Sequence, residues 1–202
     1  MTIERGNANS AQDCTILRGA QMEEKAHATG KFSMKCYSPE GKLKWSKRFK
    51  NVITDVGANQ LLDSAFGSGP VAGPFLSLIS SVSYTGIPVV ADTMGSHASG
   101  GHVWVEAGNG ANNPTWTTPA ANARRTITFA TAGSRSKALS AVATFVINTG
   151  GTVKGCFMVF GTGAVATNND LNGVLYSAGV FGTGDKVVGT GDTLQVSYST
   201  AI

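Results

Sequence analysis

The sequence predicts an all-β fold, a β-sandwich of jelly-roll-like type with about eight to ten strands, one short helix near 55–66 and an extended N-terminal arm. Three observations carry this expectation. Residues 193–199 alternate Leu194, Val196 and Tyr198 with Thr193, Gln195, Ser197 and Ser199, the period of a strand with one face on a core and one on water. Two Gly-Thr-Gly-Asp runs, 182–185 and 189–192, precede that strand. Glycine supplies positive φ and aspartate ties back its own backbone, so each run marks a tight turn. The apolar runs elsewhere are short and bounded by turn residues, and 26 of the 202 residues are glycine, as loop-rich β structure requires.

Taken in order, residues 1–30 are small and polar, with Cys14, Ile16 and Leu17 as the only apolar cluster before Met22. Fixing each backbone residue costs roughly 1–2 kcal/mol, and burying each of Ile16, Leu17 and Met22 returns only about 1.5–3 kcal/mol. The arm is therefore expected to lie across a neighbouring subunit, with packing against its own domain as the alternative. The sandwich domain is expected over 31–202. Phe32, Met34 and Cys36 alternate with Lys31, Ser33 and Lys35, and Pro39-Glu40-Gly41 makes a turn. The partner strand places Leu43, Trp45 and Phe49 inward and Lys42, Lys44, Arg48 and Lys50 outward, with Lys47 breaking the pattern. Asp55 is suited to cap a short helix through Asn59, Leu61, Leu62, Ala65 and Phe66, closed by Gly67.

After a Gly/Ser/Pro loop, residues 75–79 read as a buried strand. From Ser80 to Ala123 the chain is rich in Gly, Asn, Ser and Pro, with one strand expected at His102–Glu106; long loops of this kind are usually functional or contact-making. Strands resume at 125–130 and 138–147. The run Cys156–Phe160 is apolar throughout and reads as a central strand covered on both faces. Further short strands are expected at 174–176 and 186–188.

The charged fraction, 14%, is well below the roughly 25% of an average soluble protein, which suits a subunit whose faces are covered by neighbours. The net charge of +4 is local: residues 1–50 hold ten of the sixteen Lys and Arg residues and five of the twelve Asp and Glu residues. Cys14, Cys36 and Cys156 form no CxxC pair and no metal-like spacing, so reduced thiols and synthesis in the cytosol are expected. The polar start MTIERGNANSAQ lacks the apolar run of a secretory signal, and no stretch approaches the roughly 20 apolar residues of a membrane helix.

Candidate chemistry is sparse. Asp92, Ser96, His97, His102 and Glu106 contain the ingredients of a Ser-His-Asp triad or a metal site. They sit in a Gly-rich loop with no nucleophile elbow, and the two histidines are five apart, the spacing of neither a helix face nor a strand face. Gly161-Thr-Gly163-Ala-Val-Ala166 has the outline of a dinucleotide fingerprint, but turn residues follow where the fingerprint needs a helix. No catalytic, cofactor-binding or metal residues are assigned, and an enzyme is not expected. Lys42, Lys44, Arg48 and Lys50 are the densest charge feature. They suit solvent, an acidic protein partner or, least well, nucleic acid, because no aromatic side chain interleaves them for base stacking. Trp104 and Trp116 are either interface anchors or loop-packing residues.

Several stretches together resemble a family of tailed-bacteriophage virion proteins: residues 31–63, Asp92-Thr-Met-Gly-Ser-His97, and residues 123–131, 138–148 and 173–199. The resemblance spans most of Lys31 to Ser199 and leaves the arm outside. It implies a capsid-associated β-sandwich that decorates or cements the head by bridging capsid subunits, located in the virion and made in the host cytoplasm. The partners it implies are the major capsid protein or other virion subunits and further copies of the chain, as trimer or dimer, without a membrane. The alternative is a tail, fibre or head-spike component contacting the host surface through loops 80–123.

Overall fold

The computed structural model describes residues 28–66, 72–82, 84–97, 104–108, 113–118 and 120–202. Ile16, Leu17, Met22, Gly67 and His102 lie outside them. Two antiparallel sheets stack into a β-sandwich, as expected. The first contains β1 (Thr29–Tyr37), β2 (Leu43–Lys50), β5 (Thr115–Thr118), β7 (Ser136–Ala138), β8 (Ala143–Thr149) and β12 (Thr193–Ala201). Its order is β2-β1-β12-β8-β5, with β7 also on β12. The second contains β3 (Val52–Ile53), β4 (Phe75–Ser80), β6 (Arg125–Thr126), β9 (Gly151–Phe160), β10 (Val174–Val180) and β11 (Lys186–Val188). Its order is β3-β10-β9-β4-β6, with β11 also on β9. Eight of these strands have four residues or more; the other four are fragments of two or three.

The core follows the period-two pattern. Phe32, Met34 and Cys36 of β1 and Leu194, Val196 and Tyr198 of β12 are all buried, and they share one cluster with Leu76, Leu78, Met158, Phe160 and Tyr176 of the opposite sheet. Cys156–Phe160 is covered on both faces, as its unbroken apolar run predicts. Cys156, Met158 and Phe160 face the first sheet, while Phe157 and Val159 lie under a second cluster with Met94 and Trp104.

Helix α1 (Asp55–Phe66) lies where expected, but Thr54 caps it in place of Asp55. The Thr54 hydroxyl accepts the Gly57 amide at 3.0 Å and donates to the Leu175 carbonyl, joining helix to sheet. Gly57 permits the close approach: a Cβ there would stand 2.6 Å from the Tyr176 carbonyl oxygen.

Four expectations are corrected. Leu43 is 49% exposed, because the β1–β2 register slips between Cys36 and Tyr37. Lys44 is left without a cross-strand partner, and Leu43 falls opposite outward-facing Tyr37. The run 125–130 is divided: Arg125 and Thr126 pair with β4, whereas Phe129 bridges to Leu139. The run 138–147 is interrupted, since four residues between Ala138 and Ala143 oppose only Ser197 and Tyr198 of β12. Of the strand expected at His102–Glu106, the described residues 104–106 form only an isolated bridge, between Glu106 and Ile79.

Candidate functional site

The outer face of the first sheet is the densest concentration of charge among the described residues. Strand pairing builds it. Lys31 of β1 lies between Lys50 of β2 and Ser199 of β12; Ser33 lies between Arg48 and Ser197; Lys35 lies between Ser46 and Gln195. No strand of this sheet contains an aspartate or glutamate. Lys31, Lys35, Arg48 and Lys50 are exposed, and none has an ion-pair partner among the described residues. Lys31, Ser33, Arg48, Lys50, Ser197 and Ser199 line a shallow concavity of about 590 Å³. Lys31 and Lys50 are directly opposite each other, a like-charge pairing that works against the sheet unless an anion screens it.

Of the four cations expected on one face, Arg48 and Lys50 are there. Lys42 stands in the exposed hairpin turn before β2. Lys44 is drawn away: at the register slip its Nζ meets Asp192 Oδ2 at 2.5 Å. Lys31 and Lys35 take its place, and their alternation in β1 was the available signal. Lys47, opposite Met34 on the inward side of this edge strand, is half-buried, a placement that discourages further strand pairing.

Asp192 fastens the hairpin end of the face. Its Oδ2 accepts the Gly189 amide at 2.6 Å, Lys44 Nζ, and the Cys36 thiol at 3.5 Å. Burial pushes its carboxyl up, but the Gly189 amide, Lys44 and Cys36 outweigh burial, so its pKa is lowered. Burial and then the Asp192 charge push the Cys36 thiol up to about 12. Lys44 is raised by its hydrogen bond to Asp192. A lowered Asp192 stabilises the fold fully above its unfolded pKa of about 3.9 and loses that contribution as pH falls through the folded value. Lys44 contributes below its unfolded pKa and loses that as pH rises through its folded value. Asp192→Ala is therefore expected to cost about 1–3 kcal/mol at pH 7, with Lys44 supplying little because it is solvent-screened. Urea unfolding at pH 7 and pH 3 checks this: the gap between wild type and variant should narrow in acid, and a gap constant with pH would refute it.

Both tryptophans are buried within the chain. Trp104 is fully buried against Phe157, ring centroids 5.2 Å apart. Trp116 is 1% exposed, packs edge-on to Phe145 and donates Nε1 to the Ala123 carbonyl at 2.8 Å. Both fasten the long loop region to the core, the loop-packing alternative. Of the possible catalytic ingredients, Asp92 and Glu106 have structural tasks, while His102 and the side chains of Ser96 and His97 lie outside the described residues. Asp92 Oδ2 accepts the Val89 amide at 2.9 Å, and Glu106 is held by Arg124. No three His, Cys, Asp or Glu among the described residues are placed to hold a metal ion. Gly161 and Gly163, both at positive φ, belong to a loop from β9 to β10 with no helix after it.

No protein-family model, no curated protein and no solved structure matches this chain.

Proposed function

We propose that this chain is a non-enzymatic structural subunit of a bacteriophage particle, a capsid decoration or cement protein. The observation that carries the reading is the outer face of the first sheet, where Lys31, Lys35, Arg48 and Lys50 stand among serines on strands that contain no carboxylate. Such a face fits an acidic protein surface, and the resemblance of residues 31–199 to virion proteins makes the major capsid protein the candidate for it. A trimer or dimer with closed symmetry would set several copies of the face on neighbouring capsid subunits, so weak contacts would act together. Bridging of that kind resists the outward pressure of packaged DNA.

A second reading, a tail, fibre or head-spike component, is favoured by one observation. Ile87, Val89 and Val90, in the loop after β4, are 67%, 48% and 53% exposed, an apolar surface suited to a host protein. Antibody labelling of purified particles separates the two. Label over the whole head lattice is expected; label confined to the tail or to one vertex would support the second reading, and unlabelled particles would refute both.

A further inference from the structure

The sandwich has an apolar groove under helix α1. Leu61 of α1, Phe129, Met158 and Phe160 of β9, Tyr176 of β10 and Thr200 of β12 line a space of about 240 Å³. That exceeds the roughly 150 Å³ of an apolar cavity able to hold benzene. Leu61 on its lip is 40% exposed and the adjacent Leu62 is 58% exposed. The wall of the groove touches the start of β1: the Thr200 hydroxyl donates to the Thr29 carbonyl at 2.9 Å.

We propose that this groove seats the segment 14–22 of the chain's own N-terminal arm. Three features identify that occupant. The first is position, because the chain that precedes β1 arrives at Thr29, beside the groove wall. Met22 is seven residues earlier, within a reach of roughly 25 Å even if fully extended. The second is chemistry. Cys14, Ile16, Leu17 and Met22 are the apolar positions of this arm segment, and the groove offers aromatic and aliphatic walls. The third is charge. Lys137 also lines the groove, and Asp13, Glu23 and Glu24 outnumber Arg18 and Lys25 around the apolar positions of the arm. A short tether to the same subunit gives the segment an effective concentration in the millimolar range, which a separate copy must match by its own abundance. Seating also covers Leu61 and Phe129, a gain that counting the arm's side chains alone leaves out. The inference is independent of the virion reading.

Hydrogen exchange on the 202-residue chain, at a dilution where it is monomeric, tests it. Amides of residues 14–22 are expected to exchange about tenfold more slowly in wild type than in either of two variants. One variant is Leu61→Asp, on the lip of the groove. The other combines Ile16→Asp with Leu17→Asp in the arm, so the sandwich is not at risk. Protection in β9 and β12 should be the same in all three proteins. Equal exchange of residues 14–22 in all three overturns the proposal. Slow exchange that appears only as concentration rises, together with a larger oligomer, also overturns it by placing the arm on a second copy.

Discussion

Arg124→Ala is expected to destabilise the protein by about 3–5 kcal/mol, because it leaves the Glu106 carboxylate buried without its cation. The Arg124 and Glu106 side chains are both 0% exposed. Arg124 Nε lies 3.1 and 3.3 Å from the two carboxylate oxygens, and Nη2 lies 2.8 Å from Oε2. The same guanidinium donates to the Val165 carbonyl at 3.3 Å and the Asp170 carbonyl at 2.6 Å, and stands 5.7 Å from the centre of the Phe157 ring. Glu106 also accepts the Asn169 amide at 2.8 Å. One ion pair thus ties together the loop around Glu106, the approach to β6 and the loop from β9 to β10. Arg124→Lys should recover little, since an ammonium lacks the planar fork that serves these acceptors at once. Replacing both partners, Glu106→Leu with Arg124→Met, should cost far less than Arg124→Ala, because no charge is then stranded. Urea denaturation reads the effect as a lower midpoint with an unchanged slope. A loss under about 1 kcal/mol for Arg124→Ala would mean that water reaches Glu106 and that the clamp is not a buried one.

The clamp also marks a boundary of what the sequence reveals. Strands β1, β9 and β12 were legible because their burial is periodic or continuous along the chain; helix α1, whose Leu61 and Leu62 are exposed, was legible from the capping and closing residues that bracket it. Glu106 and Arg124 are 18 positions apart in loops, and no period links them. The burial of Trp104 and Trp116 is hidden for the same reason: each packs on a strand distant in sequence, Phe157 on β9 and Phe145 on β8. Leu43 was misplaced by a single register slip, which reverses the side of every residue beyond it. That slip also removes Lys44 from the candidate face and delivers it to Asp192. The cations of β2 were visible alone. Their joining with Lys31 and Lys35 depends on the hairpin register, and the absence of carboxylates from the strands of the face depends on which strands the sheet collects.

Charge reversal on the outer face of the first sheet tests docking there most directly. Arg48→Glu with Lys50→Glu alters two exposed side chains of an edge strand and removes the opposition between Lys50 and Lys31. The folded protein should be unharmed or slightly stabilised, by about 0.2–1 kcal/mol from the new cross-strand attraction. Binding to particles that lack the protein should fall about 10–100-fold at low salt, because like charges then face each other across the interface. The difference should shrink at 1 M salt, where the Debye length drops from about 10 Å at 0.1 M to about 3 Å. The decisive measurement is the binding curve of wild type and this double variant on such particles at 0.1 M and 1 M salt. A large, salt-sensitive gap is expected, with melting unchanged or slightly raised. Equal binding at 0.1 M salt would contradict it, as would tight, salt-sensitive binding of the wild-type protein to duplex DNA in place of the particle surface.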